Sequence, residues 1–456
     1  MRAATDTKVL AGFLLCLYVV LFIFRGLETL RVDRTPRFDA QDYATMAYNV
    51  AHYGVFSLSL ERPDKPPLPM MHRPPAYPFL LALGIWASPD VRALDMEAFF
   101  KDESQARLRP LRWMQLLLLQ LAAFLAMWLT WELTRSLPHA FLTLGLVGLD
   151  KEIISMSGAF LSEGLACFLL TSLSLCLALA VRTLSRSLFG LSGVCLAALA
   201  LTRPAYAYFG VFLLAFFCLL WLRRPAEREK VRAGILIFLV CFAVPVGAWM
   251  GRNVYHFQKA RIANGAGVVL DIRSRLDLMT LRQYEASFLF WSNSWYLDEI
   301  TPEYFDEETL AFLDETSPEG AYQQAYARSG GLAMEHGSAD ADSLQKAEAM
   351  SRILSHPWRH LAVTVPVALR GIYVHGIVLS VLLFACLLCA FVMVCLRRDA
   401  VAVAALLPSA FSFAFHAFLT QNIPRFSQPL IAMLWVSVVL VLSKLSAPQR
   451  GIHSQT

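Results

Sequence analysis

Residues 37–78 read RFDAQDYATMAYNVAHYGVFSLSLERPDKPPLPMMHRPPAYP. Apolar side chains in the first part of this stretch recur at the spacing of one helix face: Tyr43, Met46, Ala47, Val50 and Tyr53. Asp39 stands where an N-cap belongs, and Gly54 follows as a C-terminal stop. The pattern predicts a helix over residues 40–53, which is too short to span a bilayer and is expected to lie along its surface.

The composition of the whole chain is that of a membrane protein. Of its 456 residues, 57% are hydrophobic and only 16% are charged. All nine cysteines lie within apolar runs, which excludes a disulfide framework as the organising device. The net charge of +5 is attributed to membrane topology rather than to nucleic-acid binding. There is no glycine-rich phosphate loop ending in Lys-Ser or Lys-Thr, so an ATP-driven machine is not expected.

Apolar runs predict an all-α polytopic membrane protein with about ten transmembrane helices and additional interfacial helices. The predicted spans are residues 9–24, 113–133, 140–156, 165–181, 188–201, 206–222, 233–250, 373–396, 401–419 and 429–442. The run 75–87 is too short to cross and is predicted to dip into the bilayer or pack along it. Residues 321–352 are predicted to form one or two polar helices broken at Gly330-Gly331 and at Gly337.

Basic residues predict the orientation of the chain. If Arg2 and Lys8 are cytoplasmic, each later short loop rich in arginine or lysine falls on the same side, so both termini are expected in the cytoplasm. Two long loops, 28–112 and 251–370, then lie on the outer side. The predicted organisation is an N-terminal transmembrane module over 1–250 containing the first outer loop, an extracytoplasmic region over 251–370, and C-terminal transmembrane helices over 371–456.

This orientation gathers ionisable side chains at the outer face: Asp39, Arg73, Glu163, Arg203, Arg252 and Arg425. Burial raises the pKa of a carboxyl and can prepare it to take a proton near neutral pH. Arginine keeps its charge when buried, and its forked donors suit phosphate oxygens. For each residue a plainer role exists, namely a helix cap for Asp39 and interfacial anchoring or solvation for Arg73 and Glu163.

The first loop carries a resemblance to a known family. Asp39-x-x-Asp42-Tyr43, Gly54 and then Arg73-Pro74-Pro75-Ala76-Tyr77-Pro78 resemble the first extracytoplasmic loop of the C-type membrane glycosyltransferases. The most similar groups are the protein O-mannosyltransferases of glycosyltransferase family 39 and the bacterial lipid A aminoarabinose transferase-like enzymes. Many members have Asp-Glu where this chain has Asp39-Ala40, with the second acid displaced to Asp42.

The resemblance implies an inverting glycosyltransferase that moves a sugar from a polyprenyl-phosphate donor to an extracytoplasmic acceptor. By this analogy Asp39 is the general base, with Asp42 as the alternative, and Glu163 is a second carboxylate that orients the sugar or contacts the acceptor. The residues matched to substrate or phosphate binding are Arg73, Tyr77, Arg203, Arg252, Asn253 and Arg425. Arg425 opens an Arg-aromatic-x-x-Pro pattern in which this chain has Phe426 where many relatives have tyrosine.

No cofactor is expected, and a divalent cation is possible only if Asp39, Asp42 and Glu163 bind it together. The expected partners are the lipid-linked donor, the acceptor and the bilayer, with no nucleic acid, and the expected location is the bacterial inner membrane. The rival hypotheses are a flippase or transporter for the lipid-linked sugar and a polysaccharide polymerase or ligase. A transporter is expected to place its charges at the bilayer midplane within repeated halves, whereas here they cluster at one face and no repeat is evident.

Overall fold

The fold is that of an all-α polytopic membrane protein. The structure, a computed structural model, describes residues 2–30, 35–59, 67–292 and 294–445, and these residues contain no strand. Among them, seven helical segments are long and apolar enough to cross a membrane. They are Asp102–Thr134, Glu163–Thr183, Pro204–Arg223, Pro225–Phe257, Ile377–Leu396, Ala400–Leu419 and Pro424–Leu445.

The helices are numbered in chain order. The N-terminal helices are α1 (Arg2–Leu30), α2 (Asp39–Tyr53), α3 (Ala76–Ala87), α4 (Pro89–Arg92), α5 (Met96–Phe99), α6 (Arg109–Thr134), α7 (Leu137–Gly148), α8 (Lys151–Met156), α9 (Glu163–Thr183), α10 (Arg186–Thr202), α11 (Phe209–Arg223) and α12 (Arg228–Phe257). The remaining helices are α13 (Ala266–Leu276), α14 (Leu281–Phe290), α15 (Trp295–Tyr304), α16 (Glu307–Leu313), α17 (Ala321–His336), α18 (Ser338–Ser355), α19 (Pro357–Ile372), α20 (Ile377–Leu396), α21 (Ala400–Leu419), α22 (Pro424–Ser427) and α23 (Ile431–Leu445). Short 3₁₀ helices cover Asp102–Leu108, Pro204–Ala207, Pro225–Glu227 and Gln428–Leu430.

Several predicted elements differ in their limits from the observed ones. The predicted span 140–156 is wrong as one helix, because α7 ends at Gly148 and the Asp150 carboxylate caps the new helix α8 by accepting from the backbone N–H groups of Glu152 and Ile153. Helix α10 covers the predicted span 188–201. It has only 17 residues and is therefore about 25 Å long, which is short for a transmembrane helix. Helix α17 runs through Gly330-Gly331, and the chain breaks only at Gly337, where φ is +80°.

Helix α9 is the centre of the transmembrane bundle. In the most apolar 18-residue stretch of α9, 89% of the residues are buried, whereas only 17% are buried in the corresponding stretch of Pro225–Phe257, the segment that contains α12. Helices α6, α10 and α21 pack around α9, and α23 and the 3₁₀ turn at Gln428–Leu430 also contact it. Because the rest of the protein covers little of α12, most of the surface of this helix is free to contact lipid.

Close packing of α10 on α12 depends on Gly193. A Cβ atom on this residue would lie 2.5 Å from the backbone oxygen of Phe238. We expect Gly193→Ala to lower the free energy of unfolding by about 1–3 kcal/mol, because a helix backbone cannot move aside as a side chain can. Thermal unfolding in detergent measures it, with Gly247→Ala on the exposed face of α12 as the matched control, since a Cβ there meets nothing within 4 Å. An unchanged midpoint for Gly193→Ala would contradict this packing.

The long region after α12 forms a helical layer at one end of the bundle. Its polar core includes the buried Asp271, which accepts hydrogen bonds from Gln345 and Arg352. Helix α19 returns the chain to the bundle and packs against α21. The Asn422 amide donates to the Val367 carbonyl at 3.0 Å and so fixes α19 beside the turn that precedes α22.

Candidate active site

Helix α2 and the turn that follows it present the first-loop acids. Helix α2 buries Tyr43, Met46 and Ala47 and ends at Gly54 in the left-handed conformation, as predicted. The predicted N-cap role of Asp39 is wrong, because the cap residue is Phe38 and Asp39 begins the helix. Its side chain is therefore available for other contacts. Asp39 and Asp42, three residues apart, lie on one face of the first helical turn.

Arg73 joins these two acids. Its Nε and Nη2 atoms donate to Asp42 Oδ2 at 3.1 and 2.8 Å, and Nη2 also donates to Asp39 Oδ1. Pro74 and Pro75 follow directly and restrict the backbone, so Arg73 approaches α2 from a rigid turn. The side chains of Asp39 and Asp42 remain 35% and 30% exposed. A substrate can therefore reach both carboxylates.

The network continues into the membrane bundle through Arg425. Its Nη1 donates to Asp39 Oδ2 at 2.8 Å, and its Nε donates to Glu163 Oε1. Arg203, at the end of α10, also contacts Glu163 Oε1, at 2.7 Å. Three carboxylates and three guanidinium groups thus form one cluster at a single end of the bundle. We call it the charge cluster: Asp39, Asp42, Arg73, Glu163, Arg203 and Arg425.

Glu163 occupies the deepest position of the charge cluster. It is the first residue of α9, its side chain is 1% exposed, and its Oε2 atom has no partner among the described residues. In this conformation Glu163 is covered by protein and contacts two arginines. It therefore orients Arg203 and Arg425 and is not itself open to a substrate.

Tyr77 lies below the charge cluster. Its hydroxyl donates to Gln115 Oε1 at 2.6 Å, the residue is 1% exposed, and its ring meets that of Tyr43 edge-on at 5.1 Å. The Arg73 guanidinium stands over the Tyr43 ring at 5.6 Å. Tyr77 and Tyr43 thus form an apolar wall that supports Arg73.

Arg252 and Asn253 are not part of the charge cluster. Arg252 Nη1 donates to the Met70 carbonyl at 2.8 Å, and its guanidinium lies over the rings of Trp249, Phe257 and Phe56 at 5.0, 5.3 and 5.8 Å. Its contacts with described residues include no carboxylate. Asn253 is fully buried and donates to the carbonyls of Arg261 and Ile262, so it fixes the chain that leaves α12.

His72 is the neighbour of the charge cluster that sequence analysis missed. Its Nε2 atom lies 3.5 Å from Asp42 Oδ2, and its side chain is half exposed. The spacing of His72 from the other histidines fits no metal-ligand pattern. Its position next to Arg73 in the proline motif was the signal that could have identified it.

The electrostatics of Asp39 differ from the expectation. Burial alone raises the pKa of its carboxyl, but the guanidinium groups of Arg73 and Arg425 outweigh burial and hold that pKa below its ordinary value. Burial likewise acts against ionisation of Asp42, and hydrogen bonds from His72 and Arg73 lower its pKa overall. The expectation of a carboxyl with a raised pKa is therefore wrong, and both aspartates are carboxylates at neutral pH.

The same pairing decides whether the site suits a divalent cation. Asp39, Asp42 and Glu163 each accept from at least one arginine, and no cluster of three metal-ligating side chains occurs among the described residues. Mg²⁺ and Ca²⁺ need carboxylate oxygens that face the ion. These residues do not fit a bound cation, because guanidinium groups occupy the space between the carboxylates.

Comparisons with known proteins identify the fold. No protein-family model matches the chain, and the search of curated proteins found no match. Among solved structures, the oligosaccharyltransferase of Archaeoglobus fulgidus in its apo form aligns with a TM-score of 0.52 and 14% identity over 94% of this chain and 50% of that chain. Its complex with zinc and sulfate gives 0.51 and 15%, over 93% and 49%. Its complex with an inhibitory peptide and a dolichol-phosphate gives 0.48 and 13%, over 94% and 50%.

The chain spans about half the length of the solved chains that it matches. At such low identity the likeness concerns the fold. The likeness singles out neither glycosyltransferase family 39 nor the aminoarabinose transferases. The protein thus has a fold that is similar to that of an oligosaccharyltransferase, a C-type membrane glycosyltransferase.

Proposed function

We propose that the protein is an inverting glycosyltransferase that takes a sugar from a polyprenyl-phosphate donor and transfers it to a hydroxyl group outside the cytoplasm. The observation that carries this proposal is the charge cluster, in which a partly exposed carboxylate, Asp39, lies between two partly exposed arginines at one end of a membrane bundle. The similarity of the fold to an oligosaccharyltransferase supports the same class of reaction.

The chemistry assigns a role to each exposed group. The acceptor oxygen attacks the anomeric carbon as its proton passes to Asp39. The bond from that carbon to the phosphate oxygen breaks, and its electron pair leaves with the polyprenyl phosphate. Arg73 and Arg425 stabilise that anion, because Nη1 of Arg73 and Nη2 of Arg425 have no partner among the described residues.

Arg252 keeps a proposed role at the lipid phosphate. Its guanidinium lies at the end of a lipid-exposed helix and pairs with no carboxylate among the described residues. A cation in that position can attract a phosphate at the membrane surface before the sugar enters the charge cluster. Asn253 contributes indirectly by holding the backbone that follows Arg252.

The proposed orientation has the charge cluster on the outer face of a bacterial inner membrane and both termini in the cytoplasm. Basic residues gather at the opposite helix ends, where Arg182 donates to the backbone oxygen of Glu132 at 2.9 Å and Arg135 contacts the Glu132 carboxylate at 2.8 Å. Clusters of arginine in short loops favour the cytoplasmic side. This distribution is the support for the orientation.

The lowered pKa of Asp39 predicts the pH dependence of transfer. Asp39 must be ionised to accept a proton, and its pKa lies below the ordinary aspartate value of about 3.9. We therefore expect Asp39 to impose no loss of rate between pH 8 and about pH 5. The pH profile of kcat/KM is best measured in both the wild type and His72→Gln, which removes the imidazole beside Asp42. An acid limb that persists near pH 6 in His72→Gln would contradict this expectation.

The proposed function is tested with membranes that contain the protein and receive a mixture of radiolabelled polyprenyl-phosphate sugars. Transfer of one labelled sugar to a product, absent from membranes that lack the protein, supports the proposal and identifies the donor. Movement of intact donor across the bilayer without a sugar product would instead establish a flippase. Intact donor that neither reacts nor moves would overturn the proposed donor class.

A further inference from the structure

A second buried polar cluster lies outside the charge cluster, centred on Asp150. Oδ1 of Asp150 accepts from the backbone N–H groups of Glu152 and Ile153 at 2.9 and 3.2 Å. Oδ2 accepts from His375 Nε2 and from Trp435 Nε1, both at 2.8 Å. The side chains of Asp150 and His375 are each 3% exposed. These residues take no part in the proposed chemistry of the charge cluster.

Capping of α8 does not account for this arrangement. Only Oδ1 caps the helix, so the bonds of Oδ2 to two distant side chains serve another purpose. Burial raises the pKa of Asp150, but the contacts with His375 and the hydrogen bonds from Trp435 and the Ile153 backbone together outweigh burial and lower that pKa overall. A buried carboxylate that accepts four hydrogen bonds holds its donors in a defined geometry, because each donor that moves away leaves part of a buried charge uncompensated.

Each segment bound to Asp150 leads directly to a part of the site. Helix α8 continues through a short turn to Glu163. Trp435 lies on α23, which follows the turn that carries Arg425, and α23 packs against α9. His375 lies between α19 and α20, and the Asn422 amide bonds to α19 just before Arg425. Asp150 therefore connects the two segments that must meet for Arg425 to reach Glu163.

We infer that Asp150, through His375 and Trp435, is a positioning residue that holds the Glu163–Arg425 pair in register and so places the Arg425 guanidinium for the reaction. This inference rests on the proposed function. The distances from Asp150 Oδ2 to His375 Nε2 and to Trp435 Nε1 are close to ideal for hydrogen bonds. We therefore expect loss of one of these donors to shift α23 relative to α8. Displacements of about 1 Å at a reacting group can cost about 100-fold in rate.

The decisive variant is Trp435→Phe, which keeps an aromatic ring and removes one donor to Oδ2. We expect kcat to fall by about 10-fold for Trp435→Phe and by about 100-fold for Asp150→Asn, with an unchanged KM for the donor. Trp128→Phe is the matched control, because Trp128 Nε1 also donates to a carboxylate, Glu132, at the other end of the bundle. Its kcat should equal that of the wild type.

A double variant separates positioning from general destabilisation. If Asp150 acts through Arg425, Trp435→Phe should slow the Arg425→Lys protein much less than it slows the wild type. The inference would be overturned if the fold-decreases in kcat of Trp435→Phe and Arg425→Lys simply multiply in the double variant. It would also be overturned if Trp435→Phe and Asp150→Asn both keep the wild-type kcat, or if their decreases in kcat equal the decrease in the fraction of folded protein.

An independent readout keeps the inference testable without sugar transfer. Amide hydrogen exchange should accelerate in residues 157–162 and 420–427 of Trp435→Phe and stay unchanged in Trp128→Phe. Unchanged exchange in those segments overturns the positioning role, even if transfer is observed. Accelerated exchange in a protein that transfers no sugar means that the proposed function fails and the structural link stands.

Discussion

Replacement of Asp39 by asparagine should reduce kcat for sugar transfer by about 10²–10⁴-fold, the usual contribution of a general base. The asparagine side chain has nearly the same shape but cannot accept a proton from the hydroxyl group of the acceptor. The replacement also removes the charge that pairs with Arg73 and Arg425. Transfer should be measured with the identified donor, together with donor binding and the amount of folded protein.

Asp42→Asn is the matched variant for this experiment. Asp42 lies three residues away, is exposed to a similar extent and also contacts Arg73, but it does not touch Arg425. We expect it to lose at most about tenfold in kcat, because it supports Arg73 and leaves the base in place. If Asp42→Asn is inactive and Asp39→Asn transfers at the wild-type rate, Asp42 is the base and the assignment of Asp39 is wrong.

Arg425→Gln should show the second large effect. Arg425 joins Asp39 to Glu163 and, in the proposed reaction, stabilises the leaving phosphate. Loss of one preorganised donor at a developing anion typically costs 10²–10³-fold, and we expect a decrease in kcat of about that size. Arg425→Lys keeps the charge without the planar fork and should recover only part of the rate.

The same substitution should weaken the fold. Glu163 is almost fully buried, and without Arg425 its one remaining partner among the described residues is Arg203, so the free energy of unfolding should fall by about 1–3 kcal/mol. Thermal unfolding in detergent measures this change. The control is Arg228→Gln, which replaces an exposed arginine at the first residue of α12, outside the charge cluster. A fully active and equally stable Arg425→Gln protein would show that the charge cluster has neither role.

The local parts of the site could be predicted from the sequence. The helical spacing of residues 40–53, the stop at Gly54 and the stiff Arg73-Pro74-Pro75 turn each depend on neighbouring residues, and the structure has all three. The span of α9 and the position of Glu163 at its start also follow from the apolar run and its polar boundary. Such features need no knowledge of tertiary contacts.

The pairing of charges could not be predicted in this way. Arg425 is 386 residues from Asp39 and 262 from Glu163, and no periodicity connects positions so far apart. The sequence predicted a raised pKa for a buried first-loop acid, but two arginines from distant segments reverse that shift for Asp39. The break of the third predicted span at Asp150 is similar, since its stabilising partners are His375 and Trp435.

In the proposed reaction, the charge cluster separates a sugar from its lipid phosphate. The most direct measurement uses a donor with ³H in the sugar and ³²P in the phosphate, incubated with membranes that contain the wild-type protein or Asp39→Asn. We predict that the wild type moves ³H to the acceptor while ³²P stays with the polyprenyl lipid, and that Asp39→Asn moves neither. Co-transfer of both labels, or ³H transfer at equal rates in the two proteins, would contradict the account.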